Sequence, residues 1–217
     1  MALSRLKYNS LNVTPTASKG IGFDSGADDL AATFSGGSMT FIKKLTASSS
    51  ATLDFVGGAS GVVLDGTYKE YVFTFKDIHP QTDGVKLTFN LSIDTGSNYN
   101  VTKTATNFYA GHTEADATGF GYDSGLAQST SNAFITVGTI GSAADESCSG
   151  EMFLYAPSDT TFVKHWTSVC TIYGSTPQSQ VTYGAGYGNT TSAVDAIQFK
   201  FDSGNIDAGD ICLYGIN

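Results

Sequence analysis

The chain has 217 residues, enough for one domain to enclose a core, and 41% of them are hydrophobic while only 14% are charged, against roughly 25% in an average soluble protein. Its surface must therefore be dressed by Ser, Thr, Asn and Gly, which suits exposed strand faces better than helices built on Glu, Lys and Ala. A net charge of -9 with eleven Lys and Arg excludes the clustered basic surface that nucleic acid requires, and no apolar run is long enough for a membrane span or, near Met1, for a signal peptide, so synthesis in a cytoplasm is expected.

Residues 1–37 scatter Leu3, Leu6, Tyr8, Leu11, Val13, Ile21, Phe23 and Phe34 among Pro15, Gly20, Gly22, Gly26, Gly36 and Gly37 with no sustained period. A segment this irregular cannot satisfy its own backbone, yet it is too apolar for a free tail, so it is expected to act as an extended arm ordered against another surface. Leu3, Arg5, Leu6, Tyr8 and Leu11 are the residues expected to dock it. The nearest approach to a helix is a turn over 27–32, stopped by Gly36 and Gly37.

From Met39 onward the pattern alternates, with polar or Gly-rich turns about every ten residues, as half-buried strands require. Tyr71, Phe73 and Phe75 share one face, and Val85, Leu87, Phe89, Leu91 and Ile93 alternate with Lys86, Thr88, Asn90 and Ser92. Joined through Pro80, Gln81, Thr82, Asp83 and Gly84, these two runs predict an antiparallel hairpin. Further strands are expected over 39–45, 51–56, 62–64, 104–109, 133–139, 151–155, 162–173, 180–183, 194–201 and 211–216. So many short strands without crossover helices predict an all-β, antiparallel jelly-roll-like sandwich over 38–217, preceded by the arm.

The last strands, Ile197, Phe199 and Phe201, then Ser203, Gly204, Ile206 and Gly209, then Ile211, Leu213, Tyr214, Gly215 and Ile216, resemble the close of structural proteins of marine tailed bacteriophages. The stretch from Gly37, Ser38, Met39 and Thr40 through Lys43, Lys44 and Leu45 to Tyr68, Tyr71 and Phe75 is similar to the same group, as is Ser4, Arg5 and Leu6 before Tyr8. The resemblance covers about half the chain and implies a non-enzymatic virion protein: an appendage or decoration of tail-fibre, head-fibre or capsid-cement type. Its partners would be capsid, portal or tail components, and no catalytic residue or cofactor is carried over. A homotrimer is the expected stoichiometry, since appendages close small symmetric rings that bury strand edges.

Several strings carry chemical content, each beside a plainer reading. Asp94, Thr95 and Gly96 match the aspartic-protease signature, where two carboxylates share a proton, and Asp24, Asp123 and Asp202 each begin an Asp-Ser-Gly copy. Asp-Ser/Thr-Gly after a strand is also ordinary turn chemistry, which is the expectation here. His112, Glu114 and Asp116 are read as a solvated loop rather than metal ligands, His79 and His165 as structural, and Gly184, Gly186 and Gly188 as loop punctuation. Asp28, Asp29, Asp207 and Asp210 lack EF-hand spacing. Cys148, Cys170 and Cys212 are read as small hydrophobes, with a Cys148 to Cys170 disulfide as the alternative. Tyr99, Phe120, Tyr122, Tyr183 and Tyr187 lie in or beside loop-like segments, where rings can stack on a host-surface glycan or anchor a partner. Receptor recognition through carbohydrate at a fibre tip is therefore the alternative function, and an aspartic protease the remote one.

Overall fold

The computed structural model describes residues 38–123 and 128–217, together with the backbone of 19–23 and 30–35. The chain divides into two compact units, 1–40 and 41–217. In the first, β1 (Lys19–Phe23) and β2 (Leu30–Ser35) form an antiparallel hairpin with a bulge between Gly20 and Gly22. The turn expected over 27–32 is thus corrected at its end: Leu30 and Ala31 are paired strand residues, matched to Phe23 and Gly22. The docking residues Leu3, Arg5, Leu6, Tyr8 and Leu11 lie outside the described residues.

The second unit is the expected all-β antiparallel sandwich. Thirteen strands follow: β3 (Met39–Thr46), β4 (Leu53–Val56), β5 (Glu70–Pro80), β6 (Leu87–Ser92), β7 (Lys103–Thr113), β8 (Thr118–Asp123), β9 (Gln128–Ser129), β10 (Ala133–Phe134), β11 (Cys148–Tyr155), β12 (Lys164–Tyr173), β13 (Gln178–Gly188), β14 (Ala196–Phe201) and β15 (Ile206–Ile216). One sheet runs β3-β15-β5-β11-β12-β13-β7-β8 with β9 also on β7; the facing sheet runs β10-β6-β14-β4. Fully buried rings knit the two layers. Phe199 of the small sheet lies 5.2 Å from Phe73 and 5.3 Å from Phe75 of the large one, and Phe89 meets Trp166 edge-on at 4.9 Å.

The hairpin expected between β5 and β6 does not form. β5 lies between β15 and β11 in the large sheet, whereas β6 lies between β10 and β14 in the small one, so the connection is an arch across the core. The cause is visible in the turn's donors: Gln81 N binds Asn205 O, while Gly84 N and Val85 N both bind Ile140 O. These three donors are thereby committed to other segments rather than to a ladder between β5 and β6. The polar face of β6 is also buried rather than solvated. Asn90 Nδ2 donates to Tyr99 O and Thr130 O, and Thr88 Oγ1 donates to Lys200 O.

Two shorter corrections follow from packing. Residues 62–64 form no strand; Gly58 and Gly61 at φ +80° make a turn closed by Gly58 N to Val62 O, burying Val62 and Leu64. The strand expected over 133–139 stops at Phe134, because the chain then crosses toward the large sheet, where Val137 N binds Thr182 Oγ1.

Candidate functional site

β12 alternates strictly: Lys164, Trp166, Ser168, Cys170 and Ile172 face the core, and His165, Val169, Thr171 and Tyr173 face out with Thr167. Antiparallel pairing carries this alternation sideways, so residues in register share a face. Glu151 pairs with Val169, Val169 with Tyr183, Tyr183 with Phe108, and Phe108 with Tyr122. The result is a transverse row on the outer face of the large sheet. Its rings are open to solvent: Phe108 and Tyr183 are each 42% exposed, Tyr122 61%, and Phe120, one step along, 77%. Phe108 and Tyr183 lie stacked, 5.0 Å apart and within 13° of parallel, with Phe120 6.1 Å from Phe108.

Clefts flank this row on the same strands. Two residues along, Ser149, Thr171, Val181 and Ala110 align; beyond them Tyr173, Ser179 and His112 align in turn. Here Ser149, Thr171, Tyr173, Ser179, His112 and Glu114 line a cleft of about 520 Å³. Tyr173 donates to Glu114 Oε1 at 3.4 Å, and the Glu114 charge raises the phenol's pKa above its ordinary value. On the other side of the row, Thr104, Thr106, His165, Thr167 and Tyr187 line a second cleft of about 370 Å³.

Three of the five aromatic residues singled out in the sequence, Phe120, Tyr122 and Tyr183, therefore converge. Tyr187 is on the same face but meets His165 instead, at 6.2 Å. Tyr99 is elsewhere, in the loop after β6, where burial and then the charges of Asp54, Asp195 and Asp94 push its phenol up to about 12. Tyr183 lies in β13, which contains the strand expected over 180–183, whereas Phe120, Tyr122 and Tyr187, for which no strand was expected, prove to be strand residues of β8 and β13. Gly184, Gly186 and Gly188 are likewise strand residues, not loop. A side chain on Gly186 would strike Thr104 O and the Trp166 ring, so glycine is required there by the close approach of the neighbouring strands β7 and β12 on either side. Phe108, the central ring, was missed. Its signal was its phase, shared with Thr104 and the exposed Thr106 rather than with buried Ala105 and Asn107.

The remaining strings resolve locally. Asp94 accepts from Ser92 Oγ (2.7 Å), Asn98 N (2.8 Å) and Asn98 Nδ2 (2.7 Å), which hold its carboxyl below the ordinary range, Asn98 contributing most. Thr95 and Gly96 follow at positive φ, a turn built around that carboxylate. Asp202 accepts from Lys86 N, Asp123 lies 4.0 Å from Lys86 Nζ, and Asp24 is outside the described residues. His112 Nε2 contacts Asp116 Oδ1 at 3.0 Å across the tight β7-β8 turn. Among the described residues no three His, Cys, Asp or Glu converge as metal ligands. Asp207 and Asp210 bind Ser49 and Thr46, and Asp28 and Asp29 are outside the described residues. His79 is structural, its Nδ1 2.6 Å from Glu146 O, but His165 faces solvent, a correction that follows from its outward position in β12. Cys148 and Cys170 are buried free thiols with their side chains in contact, and Cys212 is half-buried.

Among the described residues no helix is long and apolar enough to cross a membrane. In comparisons of the chain with protein-family models, with curated proteins and with solved structures, none matches.

Proposed function

We propose that this chain is a non-enzymatic structural protein of a tailed-phage virion, an appendage or decoration of tail-fibre, head-fibre or capsid-cement type. Residues 1–37 dock onto capsid, portal or tail components, and the sandwich projects from or covers the particle. The observation that carries this reading is the division of the chain into a small N-terminal unit and a self-contained sandwich with its own continuous core, Phe55 and Leu64 through Phe199 and Leu213. All residues of that core fall between Ala47 and Leu213, within the second unit, and the attachment role is assigned to residues 1–37. A sheet surface dressed in Ser and Thr, with 14% charged residues in the whole chain, suits a protein that works outside the cell. The protein assembles as a homotrimer in the virion after synthesis in the host cytoplasm.

Deletion of residues 2–37 tests the reading. The truncated protein should keep the strand-rich circular dichroism of the sandwich and lose incorporation into particles. Incorporation at the full-length level would remove the docking role.

A further inference from the structure

We infer that the outer face of the large sheet, along β13 and β7, binds an uncharged oligosaccharide. Three observations carry this, and none depends on the virion reading.

The first is the ring geometry. Phe108 and Tyr183 stack face to face, 5.0 Å apart and within 13° of parallel, and each is still 42% exposed, so the outer ring faces and edges are presented from paired strands of the sheet interior rather than from loops. Rings already held against each other lose little side-chain entropy on binding. The C–H face of a pyranose packs on an exposed ring face, while its hydroxyls need partners beside the rings. The second observation supplies them: the cleft with Thr171, Ser179, His112 and Glu114 lies on one side of the ring row, and that with Thr106, Thr167 and His165 on the other. From Tyr187 to Ser179 the face runs eight residues of β13, about 26 Å at roughly 3.3 Å per residue, long enough for an oligosaccharide rather than a single sugar.

The third observation concerns size and charge. At roughly 200 Å² per aromatic side chain, four rings exposed to this degree present about 450 Å². That is short of the ~800 Å² per partner of a stable protein interface, and within the range of a functional surface patch. With a net charge of -9 the protein repels acidic polymers, so the chemistry that fits is neutral and polyhydroxylated.

The experiment uses the full-length chain on an array of neutral and acidic oligosaccharides, followed by calorimetric titration of the best binder against variants. Neutral glycans should bind, and Phe108→Ala and Tyr183→Ala should each weaken binding about tenfold or more with unchanged circular dichroism. Phe41→Ala, on the strand β3 at the far edge of the sheet, should leave affinity unchanged, and Tyr183→Phe should retain most of it. The inference is overturned by an array without neutral binders, by binding confined to acidic glycans, or by affinity indifferent to Phe108 and Tyr183. Self-association in sedimentation that those two substitutions abolish would reassign the face to a second copy of the chain.

Discussion

Lys103 carries a stability test whose sign and size follow from its surroundings. The residue is 1% exposed at the start of β7, its Nζ donating to Asn90 Oδ1 and, at 2.8 Å, to Val101 O. Both acceptors are neutral, so burial dominates and lowers the amine from its ordinary value near 10.5 to about 7. Between those two values the unfolded chain holds a proton that the folded chain lacks, so stability falls as pH is lowered through the window. Below the folded value both states are protonated and the loss is complete. From about pH 9 to about pH 7 the two pKa values give a loss of about 2.3 kcal/mol from this group alone. Lys103→Met keeps the length of the side chain and removes the titration. It also leaves Asn90 Oδ1 and Val101 O without this donor, costing about 1–3 kcal/mol at every pH. Urea unfolding of both proteins at the two pH values isolates the amine, because titrations common to both cancel in the difference. The stability difference between wild type and variant should shift by about 2 kcal/mol in the variant's favour on going to the lower pH. A difference constant to within a few tenths of a kcal/mol would show an amine that is hydrated in the folded state, and the reasoning would fail.

Other substitutions test the core and the turn chemistry. Phe199→Ala removes a ring packed against Phe55, Phe73, Phe75 and Phe89, and should cost about 3–5 kcal/mol by chemical denaturation. Gly150→Ala would drive a methyl into Val169 O and to 2.7 Å from Cys170 Cα, both backbone, and should cost at least about 1–3 kcal/mol; a neutral result in thermal melting would refute the close β11-β12 approach. Casein at acidic pH should be left intact to the same extent by wild type and Asp94→Asn, since Asp94 is bound into its own turn by Ser92 and Asn98. Cleavage by wild type alone would restore the protease reading.

Much of the sandwich was legible because alternation reports directly which side chains share a face. β12 is the clearest case, buried and exposed residue by residue, and Leu87, Phe89 and Leu91 of β6 all point into the core as their spacing required. What alternation does not report is which strand lies beside which. β5 and β6 are adjacent in sequence and matched in pattern, yet the bonds of residues 81–85 to Asn205 and Ile140 send them to opposite sheets. Nor does alternation say whether a polar face is wet. Thr88, Asn90 and Ser92 look solvated in sequence, and chain segments distant in sequence cover them. The candidate site was legible as single rings only. Its convergence depends on β13 pairing with β7 and β7 with β8, and on Gly184 and Gly186 extending a strand where local propensity reads a loop.

The most direct measurement of the central claim is a cryo-electron microscopy map of an intact particle in which this chain is located. The account requires the two-sheet sandwich to be found on the particle in threefold copies, with residues 1–37 in contact with a capsid, portal or tail protein. Purified particles lacking the chain, or holding it with that segment free in solvent, would contradict it.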